Sequence, residues 1–235
     1  MPSSEIDDPK EIVGGCIRAQ REMLIGYKGE RRVEKEKLEE AMLPKHAAIS
    51  LAGEPCIYPR LGELIEEFHR LGMTTFLVTN GTFPERLAKL TSLPTQLYLT
   101  LPAPNEKVYR KTCDPLIVRG WKKLKQTLEL FPSLGTRKVI RLTLVKGLNL
   151  MDAKAYSKLI QKASPHFVEV KGYVFVGFSR LRLSYRAMPS HEEIKGFAEL
   201  IAKETGYELV DEKKDSRVVL LSSGEERRII GGLSS

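Results

Sequence analysis

The stretch His46-Ala47-Ala48-Ile49-Ser50-Leu51-Ala52-Gly53-Glu54-Pro55 is a short apolar run that meets a glycine and then a proline. A run closed so abruptly predicts a buried parallel strand ending in a turn. The same logic recurs on either side of it. Downstream, Leu61, Leu64, Ile65 and Phe68 fall at helical spacing over 61–71, and Thr75-Phe76-Leu77-Val78-Thr79 reads as a strand closed by Asn80-Gly81. Helices are then predicted over 84–90, 115–130 around Trp121, and 153–163, with strands over 96–101, 138–145 and 167–175. Pro189-Ser190 caps a helix over 191–205, and Ser216-Arg217-Val218-Val219-Leu220-Leu221-Ser222 reads as an extra edge strand. Upstream, an amphipathic helix over 9–27 is ended by Gly26 and Gly29, and a shorter one over 36–42 is stopped by Pro44.

Alternating βα units with strands buried on both faces argue an α/β fold, a parallel sheet wrapped by helices. Whether the sheet is open or closed into a barrel is not decided by the crossovers. One domain is expected over 1–222, with a mobile Gly-Ser tail over 223–235.

The 235 residues carry 38 Lys and Arg against 30 Asp and Glu, a formal charge of +8, which favours polyanionic partners, nucleic acid first. Much of that charge is interleaved with acid, as in Glu30-Arg31-Arg32-Val33-Glu34-Lys35-Glu36-Lys37, which reads as a solvated helix face. No segment has the apolar length of a membrane span, and the polar, acidic start lacks a secretory leader's features, so a cytoplasmic location is expected. Cys16, Cys56 and Cys113 are far apart and odd in number, which suggests neither a disulfide framework nor a metal-binding run. His46, His69, His166 and His191 show no zinc-hydrolase spacing, and neither a Walker loop nor Gly-x-Ser-x-Gly is present.

Ligands of parallel α/β folds bind at the carboxyl ends of the strands. Five ends are readable: 50–55, 79–81, 100–104, 146–149 and 171–173. Gly53 allows close backbone approach and Glu54 offers a carboxylate to an ammonium group. Asn80-Gly81 joins a side-chain amide to a residue tolerant of positive φ, which suits either a polar ligand edge or a plain turn. Lys146 is placed to bind an anion or form a Schiff base, if it is not simply solvated. Residues 177–186 interleave Arg180, Arg182 and Arg186 with aromatics, a mix that clamps phosphates and stacks bases and that an ordinary exposed loop also explains.

In order along the chain, these segments resemble those of a known family. They are Ala19-Gln20-Arg21, Leu24-Ile25-Gly26-Tyr27-Lys28-Gly29, the run from His46 to Pro55, Thr75 to Thr82, Leu93-Pro94-Thr95-Gln96-Leu97-Tyr98, Arg141 to Gly147, Phe175 to Arg180, and Met188-Pro189-Ser190-His191. The family is that of the radical S-adenosylmethionine (SAM) enzymes, specifically the 4-demethylwyosine synthases of tRNA wybutosine biosynthesis. The resemblance implies a radical lyase that joins pyruvate-derived carbons to N1-methylguanosine beside the anticodon of phenylalanine tRNA. A four-iron four-sulfur cluster cleaves SAM to the 5′-deoxyadenosyl radical in that scheme. It further implies that Ala52, Gly53 and Glu54 hold the methionine amino group, with Asn80 near the same cofactor. Thr100 and Lys146 are added by position, and Arg180, Arg182 and Arg186 as tRNA contacts.

The family binds its cluster through Cys-x-x-x-Cys-x-x-Cys, and Cys16, Cys56 and Cys113 do not reproduce that spacing. The expectation is a partial (βα) barrel with its first strand missing, unable to assemble the cluster alone. Truncation, a split gene whose partner chain supplies the cluster-binding segment, or a cluster-less remnant would each explain it, the first two being preferred. Two other functions stay open: a tRNA-binding module without radical chemistry, and a lysine-dependent aldolase-like barrel using Lys146 or Lys171.

Overall fold

The computed structural model describes residues 6–50 and 53–224. The chain divides into two compact units, one holding residues up to Leu77 together with Lys89–Thr95, the other Val78–Ala88 and the chain from Gln96 onward.

The first unit contains helices α1 (Pro9–Ile25), α2 (Lys35–Met42) and α3 (Leu61–Arg70), strand β1 (His46–Ile49), and most of β2 (Thr74–Thr79). Asp8 caps α1 by accepting the Lys10 amide at 2.9 Å, ahead of Pro9, whose fixed φ suits a helix start. Arg60 bridges Asp8 at 3.0 Å and Glu63 at 2.6 Å, and the Lys10 amide, followed by this guanidinium, holds the Asp8 carboxyl below its usual range. Leu61, Leu64, Ile65 and Phe68 are buried on one face of α3, as their spacing requires. β1 and β2 pair in parallel, His46 with Thr74 through Ile49 with Leu77. Thr75 and Thr95 clasp each other, each backbone amide donating to the other's hydroxyl oxygen at 3.0 and 3.1 Å.

Gly62 allows the segment at Thr91 to lie against α3. A Cβ there would stand 2.3 Å from Thr91 Oγ1 and 3.0 Å from the Thr91 backbone nitrogen. Gly62→Ala should therefore destabilise the protein, although alanine is the better helix former by about 1 kcal/mol. The overlap costs about 1–3 kcal/mol and wins. Urea unfolding checks the sign, and an unchanged or raised midpoint would refute the close approach.

The second unit contains α4 (Pro84–Leu87), β3 (Gln96–Thr100), α5 (Glu106–Cys113), α6 (Gly120–Leu130), β4 (Arg137–Leu144), α7 (Ala153–Ala163), β5 (Phe167–Gly172), α8 (His191–Thr205), β6 (Glu208–Lys213) and β7 (Val218–Ser222). Its strands lie in the order β3-β4-β5-β7-β6. β3–β4 and β4–β5 are parallel, whereas β5–β7 and β7–β6 are antiparallel. The fold is α/β with a mostly parallel sheet, as expected.

Several elements differ from the sequence reading. β7 lies between β5 and β6, so the edge strand is β6, whose sequence Glu-Leu-Val-Asp-Glu-Lys is mostly exposed and carries no apolar pattern. α5 buries only Tyr109 and starts on an Asn105 cap, so it too lacked an apolar stripe. Asp114 and Arg119 adopt left-handed backbone, with φ of 42° and 58°, which delays α6 to Gly120. The strand expected over 167–175 stops at Gly172, and the helix expected over 84–90 stops at Leu87.

The helix over 191–205 forms as read. Ser190 accepts the Glu193 amide and Glu193 accepts the Ser190 amide, a capping box. One face of the second unit's sheet packs on helices: Leu97, Leu99, Ile140, Leu142, Leu144, Val168 and Val170 are fully buried. A Cβ on Gly172 would touch Ile194 of α8 at 3.4 Å, which fixes that face. Each such side chain contributes about 1.5–3 kcal/mol by burial.

Candidate functional site

In the first unit, Ala52 lies outside the described residues. Gly53 has a φ of +78° with no atom within 4 Å of the position a Cβ would take, so the turn presents open backbone. Glu54 is half-buried and caps a short 3-10 turn, Pro55–Ile57, by accepting the Cys56 amide at 3.1 Å.

In the second unit, the residues after β2 form a stiff turn. Asn80 Oδ1 accepts the Thr82 amide at 2.9 Å and the Thr82 hydroxyl at 2.6 Å. The Gly81 amide donates to the Thr79 hydroxyl oxygen at 3.1 Å, and the buried Thr127 of α6 donates to the Gly81 carbonyl at 2.6 Å. Asn80 is exposed at the tip while Gly81 and Thr82 are buried beneath it.

The strongest feature includes Thr100 and Lys171 from the sequence-based reading but is centred on Arg141 and Glu169, which that reading did not single out. Thr100 of β3, Arg141 of β4 and Glu169 of β5 are register partners, and one step further along Thr143 of β4 pairs with Lys171 of β5. All five sit on the face opposite the helices. Arg141 grips Glu169 with two bonds of 2.7 and 3.2 Å, and its guanidinium stands 4.5 Å from the Tyr98 ring centre. The pair is 27% and 16% exposed, dry enough for its hydrogen bonds to be strong and open enough to meet a ligand. Burial first, and the Glu169 charge second, push the Tyr98 hydroxyl up. The row thus offers a ligand a planar cation, a carboxylate, two hydroxyls and an ammonium at the carboxyl ends of parallel strands. Its signal was the alternation of Arg141 with Thr143 and of Glu169 with Lys171, inside strands read as buried on both faces.

Beneath the row, Asn149 is fully buried. Its Oδ1 accepts the Val145 amide at 2.6 Å, and its Nδ2 donates to the carbonyls of Pro102 at 2.8 Å and Thr143 at 2.9 Å. It ties the loops after β3 and β4 together.

Lys146 does not join the row. Its ammonium pairs with Glu193 at 2.7 Å, and this bond, ahead of the Ser190 amide, holds the Glu193 carboxyl below its usual range. A Schiff-base lysine needs its amine free, so this engagement speaks against Lys146 in that role. Arg180 donates to the Phe175 carbonyl at 3.3 Å and lies over the Phe175 ring, while Arg182 and Arg186 are exposed on the same loop. Phe178, 87% exposed, and Tyr185 and Leu181 stand among them. The four histidines are each taken up by a neighbour, His46 by Thr74, His69 by Thr75, His166 by the Lys138 amide and His191 by Glu212.

Residues 16–160 match the radical SAM superfamily, and residues 162–223 match the family described as wyosine base formation. The two together define the class, a radical SAM domain continued by a wyosine-forming segment. An S-adenosyl-L-methionine-dependent tRNA 4-demethylwyosine synthase of Pyrococcus abyssi is 54% identical over 219 residues, covering 92% of this chain. The chain spans 64% of that relative's length. The synthase of Methanocaldococcus jannaschii is 38% identical over 95% of this chain and 70% of its own. A solved structure of TYW1 with a lysine-pyruvate adduct bound superposes with a TM-score of 0.85 at 37% identity, over 92% of this chain and 70% of that one. The chain belongs to the tRNA 4-demethylwyosine synthase family.

Membership of the superfamily implies SAM and a four-iron four-sulfur cluster. The Glu54 carboxylate, in the turn at Gly53, is the group that would receive the ammonium end of SAM. The cysteines do not fit the cluster. Cys16 is on α1, Cys56 is buried in the turn after Glu54, and Cys113 is on α5, its thiol pushed up to about 11 by desolvation among its neighbours. Among the described residues no group of three or more His, Cys, Asp or Glu is arranged to hold a metal. No helix among them is long and apolar enough to cross a membrane.

Proposed function

We propose that this chain is the SAM- and tRNA-holding part of a tRNA 4-demethylwyosine synthase, acting in the cytoplasm on N1-methylguanosine of phenylalanine tRNA with pyruvate as co-substrate. What supports the reading most is the polar row on β3, β4 and β5. It spans the junction where the radical SAM match gives way to the wyosine-forming one, Thr100 and Arg141 on one side and Glu169 on the other. When bound, SAM supplies the source of a carbon radical in this family. This chain's own residues bind and orient. Gly53 and Glu54 receive the methionine ammonium, and Asn80 offers an amide edge at its strand end. Arg141, fixed by Glu169 and Tyr98, presents a guanidinium to an anionic or carbonyl-bearing substrate. Arg180, Arg182 and Arg186 meet tRNA phosphates, with Phe178 and Tyr185 available for stacking.

Cys16, Cys56 and Cys113 are not the thiolates of the cluster in this reading; a Cys-x-x-x-Cys-x-x-Cys segment distinct from them supplies those. Two measurements test the reading. Iron–sulfide reconstitution of the chain alone should leave no retained cluster, whereas SAM and tRNA should each bind, the latter with strong salt dependence. Product analysis with SAM, pyruvate, reductant and methylated tRNA should show the tricyclic base only when a Cys-x-x-x-Cys-x-x-Cys segment of a relative is added. A stable cluster on the chain alone overturns the assignment of the thiolates, and failure to bind tRNA overturns the functional reading.

A further inference from the structure

Away from the polar row, α5, α6 and the segment between them form an open cavity of about 410 Å³ lined by Glu106, Tyr109, Arg110, Asp114, Arg119 and Trp121, among others. We propose that it is a second tRNA contact, a seat for one backbone phosphate at the N-terminus of α6. The inference rests on the reading of the chain as a tRNA-modifying protein and adds a site that the arginine loop does not include.

α6 is eleven residues long and starts without a side-chain cap. The amides of Trp121 and Lys122 have no acceptor among the described residues, so they point out of the helix as free donors. Its first turn holds no acid and carries Lys122 and Lys123, so nothing on the helix answers the positive end of its dipole.

Tyr109 supplies the independent observation. The side chain is 5% exposed and packs on Trp121 with ring centres 5.6 Å apart. Its hydroxyl sits over the first residue of α6, where a Cβ on Gly120 would stand 2.5 Å from the phenolic oxygen. Among the described residues that hydroxyl has no hydrogen-bond partner. The hydroxyl oxygen is not among the atoms sealed from solvent, so it opens to the cavity that Tyr109 lines, and an unpaired donor at an uncapped helix start suits an anion. Arg119, held left-handed at the cap position, brings a guanidinium to the same mouth.

Two carboxylates also line the cavity. Glu106 is neutralised by Arg110 at 2.7 Å. Asp114 caps the far helix, α5, and opposes the anion. The site is therefore tuned to one phosphate of a polyanion rather than to a highly charged free anion.

The test is tRNA affinity of the full chain across a salt series, for wild type, Tyr109→Phe, Arg119→Gln and Asp114→Asn, with SAM affinity and thermal melting measured in parallel. Tyr109→Phe and Arg119→Gln should weaken tRNA binding about 3–10-fold, and Arg119→Gln should lower the salt slope by about 1. Asp114→Asn should tighten binding. SAM affinity and melting should not move in any of them. Inorganic phosphate alone should compete only weakly. Wild-type tRNA affinity and slope in both weakened variants would overturn this site while leaving the functional reading intact. A wild-type chain that binds no tRNA would overturn both.

Discussion

Asn149→Ala should unfold the second unit more readily than any other single substitution considered for this protein, lowering stability by about 3–5 kcal/mol. The side chain is fully buried and closes three hydrogen bonds at once, from the Val145 amide and to the carbonyls of Pro102 and Thr143. Alanine strands all three backbone groups where water does not reach, and each unsatisfied group costs about 1–3 kcal/mol. The Tyr156 hydroxyl, which donates to the Asn149 carbonyl at 3.2 Å, keeps the backbone in place. The loss is therefore one of satisfaction rather than of chain path. Asn149→Asp should do at least as much damage, because a carboxylate would face two carbonyl oxygens. Urea denaturation measures both variants. A loss below about 1 kcal/mol in each would show that the loops after β3 and β4 do not depend on this amide. Because those loops border the row of Thr100, Arg141 and Glu169, ligand affinity should fall with stability.

Gly81→Ala is expected to have the next largest effect, about 3–4 kcal/mol, from two causes that add. The backbone there has a φ of +72°, which an L-side chain adopts at a cost of about 1–2 kcal/mol. A Cβ would also stand 2.6 Å from Leu99 Cδ1 and 2.9 Å from Leu124 Cδ1, both in the core beneath the turn. Gly53→Ala provides the control. Its φ of +78° is equally left-handed but nothing crowds it, so only the backbone cost of about 1 kcal/mol should appear. Thermal melts of the two variants separate the steric from the conformational contribution. Equal losses would mean that the packing of Gly81 on Leu99 and Leu124 carries no energy.

The order of helices and strands was legible because burial imposes its period on the sequence. α3 buries the residues its spacing placed inside, α7 and α8 form over the ranges read for them, and Ser190 caps as expected. α5 and β6 were not legible, since an element that buries one residue or none leaves no period to read. The site divides in the same way. Asn80, Gly53 and Glu54 were visible because turns demand particular residues. Their bonding was not, and Asn80 and Glu54 prove to be turn-forming acceptors as well as ligand candidates. Lys146 was rightly put at a strand end, yet α8 places Glu193 against it.

The sequence by itself determined the α/β alternation and the family, because these depend on residue identity and order alone. Only the tertiary structure decided that Thr100, Arg141 and Glu169 form one row and that β7 lies inside the sheet. It likewise brought the Tyr109 hydroxyl over the start of α6. Each of these depends on pairing register or on contact between distant segments, and a linear pattern carries neither.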